Sequence, residues 1–207
     1  MVEVASASRG ESLLCVEWGV AQLALAGQSV SGDRAVVAAF PGGILAGAID
    51  GLGHGPDAAD AAALAAEELE AAPEKEIEAL LSRCHDRLQG SRGAVISLAS
   101  IDCGASTMTW GAIGNVEGVV LHDSRAMVHL VQQAGIVGQR VMPIRSTGIP
   151  LEQGDTVVLA TDGIRGAFAS SIGVGDPQNI ADTILEQHSR GTDDALVLVV
   201  RFRGPMN

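Results

Sequence analysis

Tyrosine is absent from the sequence, and three Phe and two Trp leave aromatics at 2 % of 207 residues. The core must therefore rest on Ala, Val, Leu and Ile, and surfaces that stack nucleic-acid bases are almost missing. Basic residues are also scarce: 13 Lys and Arg face 25 Asp and Glu, a net charge of −12 with His neutral. That excess repels a phosphate backbone and an anionic lipid surface, so nucleic acid and membranes are not expected partners. An acidic chain that handles phosphate needs a cation between the two. Cysteines are few, at positions 15, 84 and 103, with no CxxC and no Cys/His cluster, so zinc is not signalled. The odd, sparse count fits a reducing cytoplasm. The opening MVEVASASRGESLL has neither the basic start nor the apolar stretch of a signal peptide. No apolar run approaches the ~20 residues that cross a bilayer. A cytoplasmic monomer is expected, with residues 1–207 forming a single domain.

What is present is apolar sequence in short runs. Residues 12–26 read as β-rich, as two strands meeting near Gly19. RAVVAAF (34–40) and ILAGAID (44–50) read as a hairpin across PGG. From Pro56 to Gln89, Ala, Glu and Leu predict two helices, 56–72 and 74–89, divided at Pro73. Strands return at 93–102, 107–114, 116–122 and 126–132, then 155–162 and 194–202; a helix over 177–189 has Asp176 as its N-cap. The stretch 138–150 reads as a surface loop. Short loops between strands favour antiparallel pairing, and two helical zones make the class α+β, with helices outside two packed sheets.

Two apolar strands end alike. LAGAIDG (45–51) and VVLATDG (157–163) each close on Ala, one residue, then Asp-Gly. Asp193 and Asp194 stand before the last strand, and Asp33 in SGD stands before an earlier one. Strand ends in a sandwich can share a rim, so Asp33, Asp50, Asp162 and Asp193 can converge there. Grouped carboxylates repel one another unless protonated or bound to a cation. Oxygen ligands without Cys select hard ions, and the bare Gly51 carbonyl can approach one. Taken singly, Asp-Gly after a strand is ordinary turn chemistry; the repeated form is what points to metal. His54 stands equally well as a catalytic group or a loop residue, and Arg34 as a phosphate contact or, more simply, an exposed ion pair. His85, His122, His129 and His188 read as surface or helix residues. GLGHGP is neither a dinucleotide fingerprint nor a phosphate-binding P-loop.

SGD, AIDGLGHGPDA, ATDGI and TDDALVLVV, in this order from Ser31 to Val200, resemble the motifs of the PPM (type 2C) metal-dependent Ser/Thr phosphatases. The form DGLGHG is similar to their bacterial SpoIIE-like branch. The resemblance implies an α/β/β/α sandwich of two mainly antiparallel sheets flanked by helix pairs. It implies two divalent ions, Mn2+ or Mg2+, at one rim. Asp50 would bridge both, the Gly51 carbonyl would ligate one, and Asp162 and Asp193 would complete the set. Asp33 would act through water, so that Asp50 and Asp33 carry the catalytic work of a metal-bridged water on a phosphoserine or phosphothreonine protein. Departures are visible. Val36 and Val37 stand where relatives carry a further acid, Leu52 follows Asp-Gly where the eukaryotic branch has His, and that branch's phosphate-binding Arg has no counterpart. The general-acid role does not transfer to His54. Brevity ahead of SGD makes the chain similar to free-standing members that dephosphorylate stressosome scaffold and sensor proteins in a bacterial stress response. A phosphatase of another regulatory phosphoprotein, such as an anti-sigma-factor antagonist, and a catalytically weak metal-holding interaction module are the alternatives.

Overall fold

The computed structural model describes residues 15–122, 126–141, 143–173 and 175–205. Two five-stranded sheets stack face to face. The first runs in the order β1 (Val16–Leu23), β12 (Ala195–Phe202), β11 (Thr156–Ala160), β6 (Glu117–Leu121), β7 (Val128–His129). The second runs β10 (Thr147–Pro150), β5 (Thr107–Ile113), β4 (Ala94–Asp102), β3 (Gly43–Gly51), β2 (Asp33–Phe40). All pairings within both are antiparallel. Helices α1 (Pro56–Glu70) and α2 (Ile77–Arg87) cover the second sheet, and α3 (Pro177–His188) with a short 3-10 helix (Gly166–Ser171) covers the first. The α+β sandwich expectation is thus met, with one α-helix rather than a pair on the outer face of the first sheet among the described residues.

The two-sided burial of the central strands explains their unbroken apolar runs. In β12, Leu196, Leu198 and Val200 point between the sheets, while Ala195, Val197 and Val199 point toward α3. In β3, Ile44, Ala46 and Ala48 face the interior, and Leu45 and Ile49 lie under α1 and α2. Alternation sends each neighbour to the opposite layer. The buried face of α1 is Ala58, Ala61, Ala62, Ala65, Ala66 and Leu69. Such small side chains let the helix lie close on the sheet, and Pro56 at its start already lacks the N–H that a first turn leaves unpaired. Asp176 caps α3, its side chain accepting from the Asn179 amide at 3.0 Å.

Several expectations are corrected. Gly19 lies inside one strand rather than between two. A Cβ there would stand 2.4 Å from the Gln178 backbone, so the glycine admits α3 against β1. The Gln178 side chain then bonds both the N–H and the C=O of Val20, at 3.1 and 2.8 Å. The 126–132 strand shrinks to the two residues of β7, with Val131 79 % exposed beyond it. The 138–150 loop holds β10, which closes the edge of its sheet and keeps Pro150 where no inner ladder is interrupted. Part of a small hairpin, β8 (Gly135–Ile136) with β9 (Arg140–Val141), also falls there. His122 is not a surface residue: its Nδ1 lies 2.9 Å from an Asp155 carboxylate oxygen with both side chains buried.

The cysteines depart from the reducing-compartment expectation. Cys15, before β1, and Cys103, after β4, form a disulfide that ties the two sheets together. Cys84 is the remaining thiol, buried and pushed up to about 12 by that burial, hence unreactive. A cross-link 88 residues apart in sequence restricts the unfolded chain and stabilises by about 2–4 kcal/mol. Urea unfolding with and without dithiothreitol should show a loss of that size, and Cys103→Ser should reproduce it in the absence of reductant. Among the described residues, no helix is long and apolar enough to cross a membrane.

Candidate metal centre

Each sheet delivers two carboxylates to the same rim. In the second sheet, Asp33 opens β2 and is the register partner of Asp50 near the end of β3. Side chains opposite one another on adjacent strands stand about 5 Å apart at Cβ. In the first sheet, Asp162 follows β11 and Asp193 precedes β12, two neighbouring antiparallel strands. A cleft of about 370 Å3 opens here, with Asp50, Asp162 and Asp193 in its wall.

Asp33 sits behind, 5 % exposed, its Oδ2 accepting from the Thr161 hydroxyl at 2.7 Å. That bond crosses from one sheet to the other. The same Thr161 oxygen accepts from the Leu196 amide at 2.8 Å, which locks the residue before Asp162 to β12. Asp162 accepts from the Asn115 side-chain amide at 2.9 Å. Thr161 and Asn115 thus orient carboxylates that the motifs alone identify. Neither was singled out from the sequence, because their role depends on which strands meet at the rim.

Burial raises the carboxyl of Asp50 to about 8, helped by the charges of Asp33, Asp162, Asp193 and Asp194. Burial likewise raises Asp33 to about 7; the Thr161 hydroxyl opposes the rise, and Asp194, Asp162 and Asp193 add to it. Asp33 and Asp50 therefore both lie within electrostatic reach of Asp162, Asp193 and Asp194. Among the described residues the lining holds no basic side chain to relieve them. Among the described residues no three carboxyl, imidazole or thiol groups close on one point as a finished cage. The group faces itself across an open cleft, as mutually repelling charges do.

The paired acids Asp193 and Asp194 separate by task. Asp194 is 2 % exposed, and its two oxygens accept from the Leu25 and Gly32 amides, each at 2.7 Å. It fastens the loop between β1 and β2 and has no oxygen turned to the cleft wall. Asp193 keeps its place in the lining. The glycines are steric necessities. A Cβ on Gly51 would lie 2.1 Å from the Ala58 carbonyl, and one on Gly163 1.9 Å from the Asp194 carbonyl. His54 is exposed and makes no hydrogen bond among the described residues. Arg34 is exposed as expected but makes no ion pair with Asp33, whose side chain turns to Thr161.

The family described as Stage II sporulation protein E (SpoIIE) matches residues 41–203, most of the chain. The chain belongs to the SpoIIE family. One relative within reach of this SpoIIE-family chain is the phosphoserine phosphatase RsbX of Bacillus subtilis (strain 168), 24 % identical over 145 residues, covering 70 % of this chain and 73 % of RsbX. Two solved structures share the fold. A chain from a bacterial stressosome system adapted to control secondary messenger signalling superposes with a TM-score of 0.83 at 26 % identity, covering 90 % of this chain and 99 % of that one. RsbX in complex with magnesium gives 0.85 at 21 % identity, covering 94 % and 98 %. The sandwich of this SpoIIE-family chain is accordingly the one that RsbX adopts.

Proposed function

We infer that the chain is a metal-dependent protein phosphatase that hydrolyses phosphoserine and phosphothreonine. The observation that carries this reading is the convergence of Asp50 from one sheet and Asp162 and Asp193 from the other on one cleft, with Asp33 buried behind Asp50 and no basic side chain among the described residues of the lining. Such a donor set fits hard divalent ions: it is all oxygen, buried at its centre, and destabilised by its own charge until cations arrive. Asp50, Asp162 and Asp193, with the Gly51 carbonyl, would hold two ions, Mn2+ or Mg2+. When bound, the ions supply water activation and neutralise charge developing at phosphorus.

The chain's own residues do the rest. The pairing of β3 on both sides fixes the position of Asp50. Asn115 orients Asp162, and the Asp194 carboxylate pins the loop that carries Gly32 behind Gly51. Asp33, held by Thr161, acts through solvent next to Asp50. Outer-shell partners of this kind are worth about 10–100-fold in metal affinity or activity. Thr161→Val and Asn115→Ala should therefore weaken Mn2+ activation in that range, read as a rightward shift of the Mn2+ dependence of turnover with the far-UV spectrum unchanged.

The substrates are proposed to be phosphoproteins of a stressosome, in keeping with RsbX and with the stressosome structure above. A panel of phosphorylated proteins tests this. Preferential release of phosphate from stressosome scaffold and sensor proteins is the expected result. Preference for a phosphorylated anti-sigma-factor antagonist would reassign the substrate and leave the phosphatase reading intact.

A further inference from the structure

Among the described residues, the side chains lining the cleft are three carboxylates, one amide and otherwise apolar residues or glycine. A phosphomonoester brings about two more negative charges to that wall. Bound ions would face some of its oxygens, and among the described lining side chains only the Asn115 amide, already donating to Asp162, has an N–H to offer the others. Arg92 stands at the rim where such a donor is needed. It lies in the loop between α2 and β4, and the Leu52 amide donates to the Gly93 carbonyl at 3.1 Å, joining that loop to the segment after Asp50. Gly53 lines the cleft, and a Cβ on it would lie 2.9 Å from Arg92 Nη1. The guanidinium therefore lies against the bare backbone of the wall. Gly53 has φ of 86°, which also disfavours any side chain there. The other terminal nitrogen, Nη2, donates to Asp57 Oδ2 at 2.8 Å, and Gln139 Nε2 donates to the Arg92 carbonyl at 2.5 Å. Backbone and side chain are both held, with Nη1 left facing Gly53 and the side chain 47 % exposed.

We propose that Arg92 binds the substrate's phosphoryl group, Nη1 donating to an oxygen turned away from the ions while Asp57 fixes the guanidinium plane. This rests on the phosphatase reading. A planar, permanently charged fork suits phosphate better than an ammonium does, and one arm can bond a carboxylate while another bonds the anion. The residue is contributed by the α2–β4 loop, far in sequence from every acidic motif.

The test uses the full chain loaded with Mn2+. Inorganic phosphate affinity is measured by calorimetry, and KM and kcat are measured on a phosphoserine peptide. Arg92→Ala should weaken phosphate binding and raise KM by about tenfold each, the effect of one charge-assisted hydrogen bond. Turnover at saturation, Mn2+ affinity and Tm should stay near wild type, because the ion pair with Asp57 is exposed. Arg92→Lys should recover part of the loss. Unchanged phosphate affinity and KM in Arg92→Ala would overturn the proposal, as would a parallel loss of Mn2+ affinity, which would make the loop a support of the metal centre. If wild type releases no phosphate from any substrate, the phosphatase reading fails. Calorimetry with phosphate still decides Arg92 in that case: binding lost in Arg92→Ala upholds the anion site, and equal binding removes it.

Discussion

Asp50→Asn is expected to reduce phosphate release by roughly a thousandfold or more at saturating Mn2+. Asp50 feels the charges of Asp33, Asp162, Asp193 and Asp194, so removing its charge acts on the whole group at the rim. Its strand is paired to β2 on one side and β4 on the other, so the side chain cannot be replaced by a shifted neighbour. Asparagine keeps the shape and removes the charge, which isolates the electrostatic contribution from packing. Thermal unfolding alongside the rate measurement separates loss of chemistry from loss of fold. A variant within threefold of wild type would show that Asp50 holds no catalytic ion.

The same substitution should stabilise the metal-free protein. Asp33 and Asp50 have carboxyls raised to about 7 and about 8 in the fold, against 3.8 for an unperturbed Asp. Between those limits the folded state binds more protons than the unfolded chain, so stability falls as pH rises. The contribution is fully present below pH about 4 and is lost as pH passes through 7 to 8. Because the two groups titrate together, the loss is on the order of 2–4 kcal/mol rather than a sum over separate sites. For a chain of this length that is a Tm drop of about 5–15 °C between pH 5 and pH 8.5 in EDTA. Asp50→Asn should flatten that slope and raise Tm at pH 8.5, and Mn2+ should restore the wild type by binding only the folded state. A metal-free wild type that grows more stable over the same interval would contradict the crowding of charge at the rim. Activity and stability thus draw on Asp50 in opposite directions.

Much of this centre was legible in local sequence. Asp50 and Asp162 announce themselves because each ends an apolar strand on a charge followed by a glycine that steric contact requires. Asp193 was separable from Asp194 only by resemblance, and the structure supplies the physical reason: Asp194 is consumed by two backbone amides. Thr161, Asn115 and Arg92 were not legible. Their partners come from other strands and loops, at separations such as the 128 residues between Thr161 and Asp33, and nothing in their neighbours marks them. The Cys15–Cys103 bond escaped for the same reason, since it depends on how two sheets stack. Gly19 was misread because a glycine admitting a helix and a glycine making a turn look alike in one dimension. The buried His122–Asp155 pair was hidden likewise, as His122 lies at a strand end and Asp155 at the start of another.

The most direct measurement is phosphate release from a phosphoserine protein in EDTA, followed by titration with Mn2+ on the same sample. Four carboxylates that require cations predict no turnover in EDTA, full recovery on adding Mn2+, and no recovery in Asp50→Asn. Turnover that persists in EDTA, or an Asp50→Asn variant rescued to wild-type rate by Mn2+, would contradict a catalytic centre built on these residues.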